Sequence, residues 1–258
     1  MCCATTVDIS VVIPVFNEQD NLRPLLDELE GVLRPTGHSF EAVCVDDAST
    51  DRSLAVLREL RQDRPWLRIV RHTVNSGESA GEATGFRFAH GDIVITIDAD
   101  QQNDPADIPA MLAAMTPGIA AVCGDRRATR KAGDNWVRQI SSRLANGFRN
   151  WLTGENQVHD AGCTFRALRR DALHDLPVFN GMHRFLPTLL RYQGYAITEV
   201  PVNNRPRTRG SSKYGIGNRL WRGIRDCMVM RWFRLRAVRG DRAQLDDVAT
   251  IHHAHHHG

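Results

Sequence analysis

The sequence predicts an α/β fold with a mostly parallel, twisted sheet that carries helices on both faces. Segments rich in Val and Ile alternate with segments of helical periodicity through the first half of the chain. The segments 9–16 and 92–97 are mainly apolar, which is typical of strands buried on both faces of a sheet. Polar residues follow nearly every strand-like segment, at the end where open α/β sheets collect their ligands.

Each element follows from a local pattern. Strands are expected where apolar runs stand between polar turns, over residues 9–16, 41–47, 68–72, 92–97 and 119–124. Helices are expected where apolar residues recur at helical spacing or a capping residue opens the segment, over residues 21–33, 51–61, 79–89 and 106–115. Ser49, Thr50 and Asp51 are suited to cap the second helix. Asp104 before Pro105 supplies an N-cap and a first-turn proline for the fourth.

Composition places the chain among soluble globular proteins. Its 258 residues suffice for one large domain or a domain with an appendage, and 42% of them are hydrophobic and 24% charged. A net charge of only +3 argues against general nucleic-acid binding. No apolar leader opens the chain, and no stretch approaches the ~20 apolar residues that cross a bilayer. We therefore expect membrane contact to be peripheral or to run through a membrane partner protein.

Cysteine usage and segment composition bear on compartment and domain organisation. The six cysteines form no C-x-x-C pair and no disulfide framework, which favours free thiols, such as Cys44 in a predicted strand, and a reducing cytoplasm. We predict one main domain over residues 1–214 and an amphipathic helix over 215–240. The His-rich tail over 241–258 is expected to be disordered and is assigned no function.

The most informative stretch is DADQQNDP at residues 98–105, directly after the predicted strand 92–97. Carboxylates two apart on extended chain project to the same side. Asp98 and Asp100 could therefore hold a hard cation such as Mg²⁺ or Mn²⁺, which would complete its coordination with substrate phosphates. An isolated Asp-x-Asp is equally compatible with a solvated turn, and the other strand ends decide between the two.

The first strand leads into PVFNE at residues 14–18, without a glycine. This turn excludes the Rossmann site, which needs G-x-G-x-x-G, and the P-loop, which needs GxxxxGK[ST]. It also lacks the glycine- and arginine-rich loop expected of sugar nucleotidylyltransferases.

Four motifs in order resemble the family 2 glycosyltransferases, which have the GT-A fold. They are VVIPVFNE at residues 11–18, VDDASTD at 45–51, NSG at 75–77 and DADQQNDP at 98–105. The first, second and fourth of them are close to the family patterns V-[IV]-P-x-[YF]-N-E, V-D-D-x-S-x-D and D-x-D-x-Q-x-x-P, respectively. Each motif is weak alone, but all four stand in the expected order. The resemblance implies a GT-A type nucleotide-sugar-binding fold, extended here by a C-terminal basic amphipathic helix.

Later segments resemble one branch of that family, the dolichyl-phosphate mannose synthases and their bacterial polyprenyl-phosphate relatives. These segments are HDAGCTFR at residues 159–166, GMHRFL at 181–186 and RPRTRGSSKY at 205–214. The branch implies transfer of a sugar from a GDP- or UDP-sugar to a polyprenyl phosphate at the inner face of the cytoplasmic membrane. Many relatives append transmembrane helices, and this chain looks like the single-domain form.

The resemblance also implies a donor site. It assigns nucleotide-sugar binding to six residues, namely Pro14, Phe16, Glu18, Asp47, Asp98 and Asp100. Asp98, Asp100 and Gln102 are the implied ligands of Mg²⁺ or Mn²⁺. Two alternatives stay open, since Phe16 could pack in the core and Gln102 could cap a helix.

The implied acceptor site combines basic residues with one carboxylate. Arg126, Arg207, Ser212 and Lys213 are assigned to phosphate or acceptor binding, with Arg205 in the same basic group, although the loop 126–131 could simply be solvated. Asp160 and Asp100 are the implied catalytic residues, with Asp160 as a base or as a carboxylate that orients the acceptor. A phosphate acceptor is already anionic and needs little help from a base, whereas a sugar hydroxyl needs one. In-line attack would invert the anomeric configuration.

Two other functions remain compatible with the sequence. One is transfer to a carbohydrate hydroxyl of a lipid-linked or surface glycan, which would leave the group at Arg207 and Lys213 hard to explain. The other is a nucleotide-sugar-binding scaffold without turnover, which the intact carboxylates disfavour. The sugar, the base of the donor and the oligomeric state are left open.

The region 217–240 carries seven arginines against a single acid, Asp226, with apolar and aromatic residues at helical spacing. A basic amphipathic helix with aromatics suits a lipid–water interface. Alternatively, its apolar face closes the core and the arginines cover it.

Overall fold

The computed structural model describes residues 7–127, 147, 150–154, 158–160, 162–206 and 216–236. The strands are β1 (Ile9–Val15), β2 (Phe40–Asp46), β3 (Leu67–Arg71), β4 (Ile93–Thr96), β5 (Ile119–Asp125), β6 (Arg166–Arg169) and β7 (Ala196–Pro201). The helices are α1 (Leu22–Leu33), α2 (Ser53–Arg61), α3 (Glu78–Phe88), α4 (Ile108–Ala114), α5 (Leu186–Tyr192) and α6 (Ile216–Arg236). The predicted site residues Arg207, Ser212 and Lys213 and the tail 241–258 lie outside the described residues.

The seven strands form one sheet in the order β3-β2-β1-β4-β6-β5-β7. All neighbouring strands are parallel except β6, which runs antiparallel to both β4 and β5. Arg166, the first residue of β6, lies beside Thr96 of β4 and Cys123 of β5. The segment that enters β6 therefore passes over the edge where the parallel strands end.

Helices cover both faces of the sheet, as predicted. On one face, Val11 and Ile13 of β1 belong to a buried cluster with Leu25 of α1, Leu57 of α2 and Ile108 of α4. On the other face, Val12 of β1 belongs to a cluster with Leu186 and Leu190 of α5. Alternate residues of β1 thus serve opposite layers, which is why nearly all residues of this strand are apolar.

The local predictions are confirmed for five strands and four helices, with boundaries shifted by one or two residues. The fourth helix begins differently, because Pro105–Asp107 forms a 3-10 turn before α4. Asp104 caps that turn as expected, since its Oδ1 accepts a hydrogen bond from the Ala106 amide at 3.0 Å. The short strands β6 and β7 were not predicted.

Helix α6 has two different faces along its described side chains. Cys227 and Met230 are buried in a cluster that includes Met182, Phe185 and Leu189. Four apolar side chains on the remaining surface are more than half exposed, namely Met228, Val229, Trp232 and Leu235. The helix therefore closes part of the core and also presents apolar groups outward. No helix in the described ranges is long and apolar enough to cross a membrane.

Candidate active site

Three loops at the carboxyl edge of the sheet turn sharply through left-handed residues that are not glycine. Asn17 follows β1 with φ 58°, Ala48 follows β2 with φ 57°, and Gln101 follows β4 with φ 61°. This conformation is unfavourable for residues with a Cβ, by about 1–2 kcal/mol, and such strain concentrates at functional sites. The turns direct the following polar residues back over the ends of the strands.

The loop after β2 is held by its second aspartate. Asp47 is buried, and its Oδ1 accepts a hydrogen bond from the Ser76 amide at 2.8 Å and lies 2.7 Å from His72 Nδ1. Its Oδ2 accepts from the Gly77 amide at 2.7 Å. The carboxylate thus shapes the loop that leads into α3. Its contact with a nucleoside stays a prediction.

The predicted nucleoside residues on β1 lie at the same edge. Phe16 is 37% exposed, so the alternative that it packs in the core is wrong. Pro14 lies against α3, where a Cβ placed on Gly81 would come within 3.0 Å of the proline Cβ. Glu18 accepts a hydrogen bond from Asn21 Nδ2 at 2.6 Å, so this carboxylate also orders its own turn.

The two aspartates after β4 are held separately. Thr164 Oγ1, from the segment before β6, donates to Asp98 Oδ2 at 2.6 Å. Asp100 is buried, and its Oδ1 accepts from the Gln102 amide at 3.1 Å. Gln102 does not cap the next helix, because Asp104 takes that position. The loop therefore keeps both carboxylates fixed at the edge.

The charges at this edge are unbalanced in a way that suits a cation. Burial and the neighbouring Asp100 raise the pKa of the Asp98 carboxyl, although Thr164 opposes this. Loss of surrounding water and the charge of Asp98 likewise raise the pKa of Glu78 to about 7. No group of three or more His, Cys, Asp or Glu arranged as metal ligands occurs among the described residues. The two carboxylates after β4, Asp98 and Asp100, would fit a metal whose coordination is completed by phosphate oxygens, as Mg²⁺ is commonly bound.

A buried ion pair lies next to the aspartates. Arg126, at the end of β5, donates from Nε to Asp160 Oδ2 at 2.8 Å and from Nη2 to Asp160 Oδ1 at 3.1 Å. Its backbone amide donates to the same carboxylate at 3.2 Å. Both residues are 7% exposed. Arg126 therefore does not lie in a solvated loop, and the carboxylate of Asp160 orients its guanidinium.

Asp160 is held in turn from β7. Glu199 accepts hydrogen bonds from the amides of His159 at 2.8 Å and of Asp160 at 3.3 Å, and its Oε2 lies 2.7 Å from His159 Nδ1. Strand β7 thereby fixes the backbone of Asp160, the partner of Arg126. Glu199 was missed by the sequence reasoning because it lies in a strand that was not predicted.

Arg205 has a different role from the one expected. It was grouped with the phosphate-binding residues, but its guanidinium lies 2.7 Å from Glu28 Oε2 and 2.7 Å from Asp104 Oδ1. Its amide also donates to the Gln102 carbonyl at 2.8 Å. Arg205 thus ties the segment after β7 to the loop that carries Asp100.

Several polar residues near the site carried no prediction. Glu82 on α3 and Arg166 on β6 are almost completely buried, and His183, before α5, is bonded through Nδ1 to Ser79 Oγ at 2.7 Å. Burial lowers the pKa of His183 to about 3, aided by Arg184. The sequence does carry one pattern that indicates polar residues of α3 near the site, because Glu78 and Glu82 are four residues apart and so share a helix face.

The comparisons with known proteins agree with this geometry. The sequence profile of glycosyl transferase family 2 matches residues 10–176. The undecaprenyl-phosphate 4-deoxy-4-formamido-L-arabinose transferase of Edwardsiella ictaluri is 39% identical over 210 residues, which cover 81% of this chain and 63% of that protein. The dodecaprenyl-phosphate galacturonate synthase of Rhizobium johnstonii is 33% identical over 231 residues, covering 88% of this chain and 68% of that protein. The chain thus spans about two thirds of the length of these relatives.

Solved structures share the fold at lower identity. A mannosyltransferase from Pyrobaculum calidifontis in complex with GDP-Man and Mn²⁺ superposes with a TM-score of 0.60 at 22% identity, over 90% of this chain and 65% of that one. Glucosyl-3-phosphoglycerate synthase from Mycobacterium tuberculosis, with Mn²⁺, UDP and phosphoglyceric acid, gives 0.61 at 22% identity, over 91% and 80%. The fold is therefore of the GT-A type, as predicted. With the profile match and these relatives, the chain belongs to glycosyl transferase family 2.

Proposed function

We propose that this chain transfers a sugar, with inversion, from a nucleotide-sugar donor to a polyprenyl phosphate. The observation that carries the proposal is the bidentate pair of Arg126 and Asp160 beside the aspartates of β4. The carboxylate expected to act as a base is occupied by an arginine, which suits an acceptor that is already anionic. The names of the relatives at 39% and 33% identity, both polyprenyl-phosphate sugar transferases or synthases, support the same acceptor.

The donor half of the proposal rests on the loops after β1, β2 and β4. Exposed Phe16 beside Pro14 offers an apolar surface to the base, and Glu18 and Asp47 order the turns around it. Asp98 and Asp100 would flank the diphosphate. The dense hydrogen bonding of these loops favours a site that needs little rearrangement when the donor binds.

We propose that Asp98 and Asp100, with Gln102 beside them, hold Mg²⁺ or Mn²⁺. A divalent cation at this position would neutralise the charge that develops on the departing nucleoside diphosphate. Burial and the neighbouring Asp100 raise the pKa of Asp98, and a cation bound here would offset both effects.

In the acceptor half, Arg126 would bind the phosphate monoester. Its guanidinium is kept in one orientation by Asp160, so that the attacking oxygen can be aligned with the anomeric carbon. Attack from the side opposite the diphosphate would invert the configuration. Arg207, Ser212 and Lys213 follow β7 along the chain and stay predicted phosphate ligands.

A polyprenyl acceptor requires contact with a bilayer, and we propose that α6 provides it peripherally at the inner face of the cytoplasmic membrane. Trp232 and Leu235 are exposed next to arginines at positions 225, 231, 234 and 236. Apolar burial and attraction to anionic headgroups would then act together.

Thermal unfolding in the presence of GDP, UDP and their sugars, each with and without Mn²⁺, tests the donor half. Selective binding stabilises the folded chain in proportion to occupancy. We expect one nucleotide to raise the midpoint, dependent on the metal, and Asp100→Ala to abolish that rise. A midpoint that no nucleotide changes would contradict the proposal.

Product analysis by mass spectrometry tests the acceptor half. The donor that binds is incubated with undecaprenyl phosphate in vesicles and, as the matched control, with undecaprenol, which lacks the phosphate. We expect sugar transfer only to the phosphate. Equal transfer to undecaprenol would indicate a hydroxyl acceptor, and donor binding without turnover would indicate a nucleotide-sugar-binding scaffold.

A further inference from the structure

A second polar pair stands at the carboxyl edge, on the face of the sheet that α3 and α5 cover. The backbone register places it. The Ile97 amide donates to the Val12 carbonyl at 3.2 Å, so Asp98 lies level with Pro14 across β1 and β4. Gly81 of α3 packs against Pro14. Glu78 lies almost one turn before Gly81 and therefore extends about 5 Å beyond this level.

His183 is oriented by its neighbours. The Gly181 amide donates to Ser79 Oγ at 2.9 Å, and Ser79 Oγ lies 2.7 Å from His183 Nδ1. The Ser79 hydroxyl, which accepts from Gly181, has its own proton to donate to Nδ1, and the tautomer that matches this bond carries the imidazole proton on Nε2. Burial keeps the ring neutral by lowering the pKa of His183 to about 3. In this tautomer, the ring offers one hydrogen-bond donor, at Nε2.

That donor faces a carboxylate without bonding to it closely. His183 Nε2 lies 3.5 Å from Glu78 Oε2, longer than a good hydrogen bond. Glu78 is 42% exposed and His183 13% exposed, so the pair borders solvent at the rim of the site. A hydroxyl both donates and accepts, and can satisfy a carboxylate oxygen and an imidazole N–H together.

We propose that Glu78 and His183 form a subsite that binds hydroxyl groups of the donor's sugar and so contributes to sugar specificity. This inference rests on the proposed function. The pair lies beyond Asp98, where the sugar would follow a diphosphate held by the aspartates. Glu78 Oε2 can accept a hydrogen bond and His183 Nε2 can donate one, so the pair suits a hydroxyl of the donor, which does both, better than a phosphate, which offers only acceptors.

Two substitutions at His183 separate recognition from structure. The amide nitrogen of Gln can occupy the place of Nε2, whereas the amide of Asn lies near Nδ1. His183→Asn should keep a hydrogen bond to Ser79 and lose the proposed donor at the Nε2 position. His183→Gln should keep that donor and lose the hydrogen bond to Ser79. Calorimetric titration in the presence of Mn²⁺ would compare the affinity for UDP with that for UDP-glucose and UDP-galacturonate. It would likewise compare the affinity for GDP with that for GDP-mannose.

For the sugar that wild type prefers, we expect His183→Asn and Glu78→Ala to weaken binding about five- to tenfold, as the loss of one hydrogen bond predicts. Binding of the free nucleotide should stay unchanged. His183→Gln should bind the sugar nearly as wild type does but unfold at a lower temperature. Glu59→Ala, which removes an exposed carboxylate of α2, should change neither binding nor stability.

Several results would overturn the inference. One is equal weakening of nucleotide and nucleotide-sugar binding, and another is normal sugar binding by His183→Asn. A third is a wild-type chain that binds UDP or GDP but binds none of the three nucleotide-sugars more tightly than the free nucleotide. That result would leave the donor half of the proposed function intact. Failure to bind any nucleotide would instead count against the proposed function itself.

Discussion

Arg126 and Asp160 form a bidentate ion pair at the carboxyl edge of the sheet, with both residues 7% exposed. The aspartate lies in the segment that enters β6, and the arginine directly follows β5, so the pair joins the ends of two antiparallel neighbours. Planar bidentate contacts fix the direction of a guanidinium as well as its charge. The same carboxylate is therefore unavailable as a free base while it holds Arg126.

Asp160→Asn should reduce turnover by about 10²-fold while leaving donor binding near normal. The amide keeps the size of the carboxylate but accepts only one of the two guanidinium bonds, so Arg126 is misaligned by a fraction of an ångström or more. Turnover with polyprenyl phosphate and titration with the preferred nucleotide measure the two effects.

Asp125→Asn is the matched control, because Asp125 also pairs with an arginine, Arg127, but that arginine is half exposed. We expect its turnover to stay within about twofold, as for most exposed pairs. Loss of donor binding in Asp160→Asn would instead assign this residue to folding or to the donor pocket.

Glu82 should make stability depend on pH. Burial raises its pKa to about 8 from an ordinary value of 4.5, although Arg166 opposes the shift. Between these values the folded chain keeps a proton that the unfolded chain releases, so stability falls as pH rises through this window, by about 1.4 kcal/mol per unit from this group. Glu82→Gln removes the titration.

Denaturant unfolding from pH 5 to pH 8.5 measures the difference between wild type and Glu82→Gln. We expect the variant to gain relative stability as pH rises, reaching ~2 kcal/mol or more near pH 8. Two curves that stay parallel over the range would show that Glu82 does not hold a proton in the folded chain.

Two helical glycines should respond to alanine in opposite ways. A Cβ on Gly85 of α3 would lie 2.1 Å from Val12 Cγ1, so Gly85→Ala should destabilise the chain by about 1–3 kcal/mol. Gly31 of α1 has nothing within 4 Å of that position, and Gly31→Ala should stabilise by ~0.5–1 kcal/mol. Midpoints of chemical denaturation give both values. Destabilisation of equal size in the two variants would contradict the packing of α3 on β1.

The exposed face of α6 should govern membrane binding. The double variant Trp232→Ser and Leu235→Ser removes two outward side chains, 59% and 74% exposed, and should reduce flotation with anionic vesicles several-fold. Folding should be unaffected, since Cys227 and Met230 make the buried contacts. Phe88→Ser, at the far end of α3, removes a comparable exposed group and should not change flotation. Equal flotation of the double variant and wild type would exclude this face of α6 as the membrane-binding surface.

Much of the fold was predictable because local patterns encode it. The leucines of α1 and the largely apolar sequences of β1 and β2 reflect burial of one helix face and of both strand faces. Strand β6 escaped prediction because its four residues, RALR, show neither alternation nor a continuous apolar run. Its pairing depends instead on the two neighbours that flank it.

The sequence by itself determined the alternation of strands and helices, the family, and the positions of Asp98 and Asp100, because each depends on residues close together in the chain. Only the tertiary structure decided which side chains from distant parts of the chain meet at the site. Arg126 meets Asp160 from 34 positions away, and Ser79 meets His183 from 104. Those contacts follow from the order of strands in the sheet, and the antiparallel insertion of β6 turns its leading segment over the site. Strand order minimises the free energy of the whole packed core and leaves no periodicity in any single segment.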